Sequence, residues 1–471
     1  MISVPTAARF LRRSARPAAI AAAVALAFAA PVEAQQSPAT PAAVPPSEDL
    51  RLYDIGTAPD PSRIQTDIQK LVDFGTRNTF SDTLSPTRGI GAARRWIKAE
   101  FDRISAECGG CLEVSYQENL DSLPDGRVVN VVNVVAIQRG TEQPNRYVIM
   151  SGDIDSRVSS NQDATKDSPG ANDNASGVAG TIEAARVLTK YRFPTSIVYA
   201  NLSGEEQGLW GGRGLAAKAK ADGWDIVAVL NNDMIGNIEG VDGVIDNETF
   251  RIFSEPVSSN EGAPGWNTRV YGGEVDGPSR QLARYIARVA DQYVPNVRPM
   301  LVYRLDRFGR GGHHRPFNDA GFAGVRIMEA HENYTRQHQD LRTENGIAYG
   351  DVISGVNFPY AAKLTAVNAV AMAALAWGPS APAAVRIGGA VQPSTMLDWD
   401  AVDSPRVAGY RIYWRDTTAP QWQHSRFVPA GTTRFTLENI VIDNYLFGVA
   451  TVAQDGNESA VVFPTSLVRG R

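Results

Sequence analysis

The 471-residue chain reads as an α/β protein, a mostly parallel mixed sheet with helices on both faces, followed by an all-β, immunoglobulin-like sandwich. Three observations predict this. Apolar β-branched runs alternate with helically spaced segments from Val128 to Met328, and such alternation implies parallel strands joined by crossover helices. Acidic residues stand just past the ends of three of these strands, where open α/β sheets bind their ligands. Beyond Pro379–Pro382 the pattern turns to short strands divided by turn residues, as in a sandwich of about ninety residues.

The elements follow in order. Arg9, Arg12, Arg13 and Arg16 precede an apolar run from Ala18 to Ala30 and a small-residue site at Val32–Ala34. Residues 1–34 are therefore expected to be a signal peptide, and the product to be exported to the periplasm or the outside. Its removal takes away four arginines and one glutamate, moving the formal charge from −5 to −8. That balance argues against nucleic acid or an anionic membrane as partner. No long apolar span remains after cleavage. Residues 35–48, rich in Pro, Ala and Gln, read as a disordered linker. The catalytic domain is expected over 49–378 and the sandwich over 379–471. Helical spacing covers Pro61–Phe74 and Ile90–Ile104. Cys108 and Cys111 follow, and export favours a short-loop disulfide over a metal site, which would want four ligands.

A strand is predicted at Val128–Ile137, and then one event recurs. Tyr147–Ser151 is a strand with Asp153 and Asp155 beyond it. Ser196–Leu202 is a strand with Glu205 and Glu206 beyond it. Ile226–Leu230 is a strand with Asp233 beyond it. Between the first two lies SPGANDNASGVAG, residues 168–180. Its small residues allow a tight loop that presents Asp173 just before a helix over Gly177–Tyr191. A further helix is predicted over Gly208–Lys220.

The acids thus converge on one rim. Two carboxylates ~4 Å apart repel by roughly 4 kcal/mol at an effective dielectric near 20. Six together would exceed the usual stability of a domain, about 5–15 kcal/mol, unless some protonate or a cation binds. Divalent cations are the common solution. The five histidines point the same way. His313, His314, His331 and His338 fall in one late window, after a helix at Pro278–Val294 and a strand at Pro299–Arg304. His338 also follows a strand, Phe322–Met328. A long apolar-striped helix, Val352–Trp377, closes the domain.

In the last part, MLDWDAV, AGYRIYWRD, TRFTLENI, NYLFGVATVAQ and SAVVF are the expected strands. Trp399, Tyr410 and Tyr445 are their core aromatics, and the ending resembles a fibronectin type III domain.

GANDNASG, SGEEQGL and NNDMIG, in that order, closely resemble the zinc-dependent aminopeptidase family with two co-catalytic metals, over roughly Asp49–Trp377. That family includes glutamate carboxypeptidase, glutaminyl cyclase and the transferrin receptor ectodomain. The resemblance implies that Asp173 bridges two metals, Glu206 and His338 complete one ligand set, and Asp233 serves the other. It implies Glu205 as general base, Asp155 as an orienting group, His314 near the substrate carbonyl or in the hydrogen-bond shell, and a cis peptide at Asp173–Asn174. The activity implied is hydrolysis of a peptide substrate from its amino end. Carboxypeptidase or glutaminyl cyclase chemistry, or a silent binding role, are the alternatives.

The chain departs from the family in three places. Where the family has His-x-Asp, this chain has Asp153-Ile154-Asp155. Where the family often has an acid before the residue matched by His314, this chain has His313. The residues after His338, QDLRTENG, are a looser match. Asp153 is expected to replace the missing histidine as ligand, making its side of the pair an oxygen site that welcomes manganese or magnesium beside zinc.

Overall fold

A computed structural model describes residues 44–123, 125–257 and 272–468. The expected signal peptide and most of the expected linker lie outside these residues. Of the linker, Pro45 is buried and the Ser47 carbonyl accepts a hydrogen bond from Gln292.

The chain begins with α1 (Leu50–Thr57), α2 (Pro61–Val72) and α3 (Ile90–Glu107). Asp60 caps α2 by accepting from the Ser62 N–H at 2.8 Å, and Pro61 fills the first turn, where no donor is needed. The Cys108–Cys111 disulfide then turns the chain into β1 (Leu112–Ser122) and β2 (Val128–Gln138). Next come β3 (Gln143–Asp153), α4 (Ala175–Leu188), β4 (Thr195–Leu202), α5 (Trp210–Ala221), β5 (Asp225–Asn232) and β6 (Thr249–Ser254). They are followed by α6 (Pro278–Tyr293), β7 (Arg298–Val302), α7 (His314–Asp319), β8 (Gly324–Glu329), the small hairpin β9 (Arg342–Glu344) with β10 (Ile347–Tyr349), and α8 (Phe358–Trp377).

Eight strands form one sheet in the order β1-β2-β4-β3-β5-β8-β6-β7. The central run β4-β3-β5-β8 is parallel. β1 and β2 add antiparallel at one edge, and β6 sets antiparallel to β8 at the other. The sheet is mixed, with its parallel part where the acids fall.

Side chains alternate across it. Val148 and Met150 of β3 face the larger core with α4 and α8, while Tyr147 and Ile149 face Leu215, Ala216 and Ala219 of α5. Each such burial contributes about 1.5–3 kcal/mol. Both faces being covered explains why β3 and β4 lack polar alternation. α8 is apolar all round because it is buried all round, against α1, α4 and α6.

The remaining strands are β11 (Ala383–Gly388), β12 (Thr395–Asp400), β13 (Val407–Asp416), β14 (His424–Pro429), β15 (Arg434–Leu437), β16 (Tyr445–Ala453) and β17 (Ser466–Leu467). They form an additional β domain of two sheets, β15-β12-β11-β17 and β14-β13-β16. Trp399 and Tyr410, from different sheets, share its core with ring centroids 5.2 Å apart. The expected strand at SAVVF is instead a segment bridged to β16 at Val449–Val462, and β11 and β14 had no clear sequence signal.

Charged groups join this domain to the first. Asp276, just before α6, is buried and accepts from Arg284 of α6 at 2.7 Å and from Arg415 of β13 at 2.8 Å. At the other end Arg51 meets Asp455 at 2.7 Å, and Asn457 donates to Asp49 at 2.8 Å.

Candidate active site

The parallel centre of the sheet brings the carboxyl ends of β4, β3 and β5 side by side. Asp153 closes β3, Asp233 follows β5 by one residue, and Glu205 and Glu206 stand in the turn between β4 and α5. Asp173 precedes the cap of α4, and the peptide that joins it to Asn174 is cis. His338 reaches the same edge from the loop beyond β8, with a left-handed backbone at φ 57°.

Asp173 Oδ2 and Glu206 Oε1 lie 3.0 and 3.1 Å from His338 Nε2. Among the described residues, these three form a group whose ligand atoms all lie within 4.8 Å of one another. Two carboxylates and one imidazole, each only partly buried, are a donor set that fits zinc with an open position. Electrostatics agree with a cation there. Burial opposes charging of His338, but Glu206 and Asp173 outweigh it and raise its pKa to about 10. Burial likewise acts against the Asp173 carboxylate, and the contact with His338 more than reverses it, holding the group below the usual range.

Glu205 stands beside this set without joining it. It borders a cleft of about 550 Å³ and makes no ion pair among the described residues. Burial, then Glu206, Asp233, Asp153 and Asp173, push its pKa well up. Asp155 clamps the turn beneath it, accepting from the N–H groups of Glu205 and Glu206 at 3.1 Å each.

The structure does not bring Asp153 and Asp233 into the donor group. Asp153 Oδ2 accepts from Asn174 at 2.6 Å, and Oδ1 lies 2.6 Å from His313 Nδ1. Asp233 Oδ2 lies 2.6 Å from the buried guanidinium of Arg326, which also reaches Asp306 at 3.2 Å. Burial raises the Asp233 pKa to about 7, against the pull of Arg326. His314 is placed away from the cleft. It opens α7 fully buried, with Nε2 2.8 Å from the Leu305 carbonyl and 3.6 Å from Asp306. Its ring fixes the loop before α7 and does not reach a substrate in the cleft.

Sequence reasoning missed the groups that hold the Asp173 loop. Asp351 accepts from the N–H groups of Asn172 and Asp173, the latter at 2.7 Å. Buried Arg77 ties the Ile154 carbonyl to those of Pro169 and Gly170. Asn172 in turn donates to buried Glu329 at 2.9 Å. These partners are about 80 to 180 residues away in sequence, and no local spacing announces them.

Residues 133–350 match the model of peptidase family M28. A probable zinc metalloprotease of Leptosphaeria maculans is 41% identical over 408 residues, covering 86% of this chain and 94% of its own length. The chain belongs to peptidase family M28. A probable zinc metalloprotease of Pyrenophora tritici-repentis is 38% identical over 427 residues, covering 89% of this chain and 98% of its own. The M28 fold is also seen in the Legionella pneumophila aminopeptidase LapA, with a TM-score of 0.51 at 17% identity over 71% of this chain and 78% of that one. In this M28 chain the matched segment contains Asp153, Asp173, Glu205, Glu206, Asp233 and His338, the whole of the rim described above.

Proposed function

We propose that the chain is an exported, zinc-dependent exopeptidase that removes residues from the amino end of peptides. The observation that supports this reading is the convergence of Asp173, Glu206 and His338 at one cleft, beside a partly buried Glu205 that has no ion pair among the described residues. Asp173, Glu206 and His338 would hold the ion. When bound, zinc lowers the pKa of a water toward ~7 and polarises a carbonyl. Glu205 is the general base, taking a proton from the attacking water and handing it to the leaving amine. Asp155 keeps Glu205 and Glu206 in register by gripping their backbone.

A second ion beside Asp153 and Asp233 would compete with Asn174, His313 and Arg326 for the same oxygens. We therefore place it as a weaker site, of oxygen donors, better suited to manganese or magnesium. The leader at 1–34 would direct export, and the last domain is read as a fibronectin type III-like attachment.

The test is metal analysis of the purified protein together with a panel of free and N-blocked aminoacyl substrates. One tightly held zinc per chain and cleavage of unblocked substrates only are expected. Cleavage of N-blocked peptides at their carboxyl end would replace the aminopeptidase reading with a carboxypeptidase one.

A further inference from the structure

The cleft beside Glu205 is walled by Arg157, Arg213, Arg307, Arg310 and Arg315. Arg213 is paired with Asp121 at 2.8 Å, and Arg157 bonds the carbonyls of Val158 and Ser159 and lies 3.6 Å from Glu206 Oε2. Arg307 and Arg310 share one carboxylate, Glu332, at 3.2 and 3.3 Å, and Arg251 takes its other oxygen at 3.1 Å. Arg307 also lies 3.3 Å from Asp306 and 3.9 Å from Asp233, whereas Glu332 is the one carboxylate within 4.0 Å of Arg310 among the described residues.

Arg315 has no carboxylate within 4.0 Å among the described residues. Its Nη1 reaches only the Arg310 carbonyl at 3.4 Å, and its buried Nε has no hydrogen-bond partner. Its place is built. Gly311 packs beneath it, where an added Cβ would meet Arg315 Cδ and Nη1 at 2.9 Å. Both Arg310 and Arg315 line the same cleft as Glu205, Glu206 and His338.

A guanidinium left with idle donors in a partly desolvated wall is costly unless an anion completes it. The planar fork of arginine matches a carboxylate, two parallel N–H donors to two oxygens. An ion at Asp173, Glu206 and His338 would neutralise the acids on the cleft floor and leave the wall positive.

We propose that Arg315, supported by Arg310, is a subsite for a carboxylate carried by the substrate near the scissile bond. This rests on the peptidase reading above. A carboxylate at that distance has two sources. One is the free carboxyl end of a short peptide, and the other is an aspartate or glutamate side chain next to the cleaved bond.

Three substrates separate them: Ala-Ala with a free carboxyl end, Ala-Glu amide with only a side-chain carboxylate, and Ala-Ala amide with neither. The metal-loaded enzyme should favour one of the first two over the third by at least ~10-fold in kcat/KM. Arg315→Gln should collapse that preference by a similar factor, and Arg315→Lys should keep part of it. Arg315→Glu should turn it toward Ala-Lys amide. Equal use of all three substrates by the wild type, or a preference unchanged in Arg315→Gln, overturns the proposal. If Arg315→Gln fails to fold, Arg310→Gln carries the same comparison. Failure of the peptidase reading is told apart by calorimetry with succinate, which needs no turnover. Succinate binding that weakens at least ~10-fold in Arg315→Gln keeps the subsite even if no peptide is cleaved, and absence of binding to the wild type removes it.

Discussion

His313 Nδ1 lies 2.6 Å from Asp153 Oδ1, with both side chains buried. These are two of the three positions at which this chain departs from the pattern of the aminopeptidase family it resembles. That family has a histidine where Asp153 stands, and often an acid where His313 stands. Here the carboxylate stands at the first position and the imidazole at the second, and the two meet. If they compensate one another, their effects on stability are coupled. Asp153→His would set two imidazoles together, and His313→Asp would set two carboxylates together. Each single variant should lower the urea midpoint, and the double variant should recover most of the loss, with a coupling of about 1–3 kcal/mol. Additive losses in the double variant would mean that the contact carries no such compensation.

Glu205→Gln keeps the shape of the side chain and removes its ability to take a proton. The metal content and melting temperature should stay close to those of the wild type, while kcat falls by at least ~100-fold. Metal-replete variant with near-normal turnover assigns the base elsewhere.

His314 gives a pH signature. Burial lowers its pKa from 6.5 to about 4, although nearby Asp306 and the Leu305 carbonyl favour the charged form and Arg326 and Arg315 oppose it. The folded value is depressed, so the unfolded chain binds the extra proton between about pH 6.5 and 4. Its contribution to stability is complete above 6.5 and is lost as pH falls toward 4. His314→Gln, whose amide can still donate to Leu305, should reduce the slope of stability against pH in that window by about one proton. An unchanged slope would place the acid sensitivity in other groups.

The junction of the two domains yields the fourth prediction. Removing Asp276 strands Arg284 and Arg415 as buried like charges, so Asp276→Ala should cost about 3–5 kcal/mol in denaturant unfolding. A chain ending near Pro379 keeps every donor of the metal group but exposes this cluster. It should cleave small substrates and unfold at a clearly lower urea concentration than the full chain. Equal midpoints would show that the domains are thermodynamically independent.

Much of this was legible in the sequence. Apolar β-branched runs and helical spacing placed β2 to β5 and α2 to α6 within a few residues, because both sheet faces bury apolar runs and the turns use small residues. The acids at strand ends could be assigned to one edge because parallel strands share it. Less legible was what each acid faces. Asp153 looked like a free ligand until His313 and Asn174 were found on its oxygens, and Asp233 until Arg326 was found on its own. His314 read as a site residue through the family resemblance, whereas the start of α7 turns it inward. β6 was missed because Thr249–Ser254 is short and carries an arginine mid-run.

The contacts of Asp49 and Arg51 with Asn457 and Asp455 span 408 and 404 residues of chain. They impose an order in time. At about 5–20 residues per second, a ribosome needs roughly 20–80 s between making α1 and making its partners. Until then the cap and the first turn of α1 lack these two partners, although the Asp49 N–H can already meet the Tyr293 hydroxyl and Arg51 the Trp377 ring. The first helix of the described residues is thus among the last to find its full set of partners, and the body between them must fold without waiting for it.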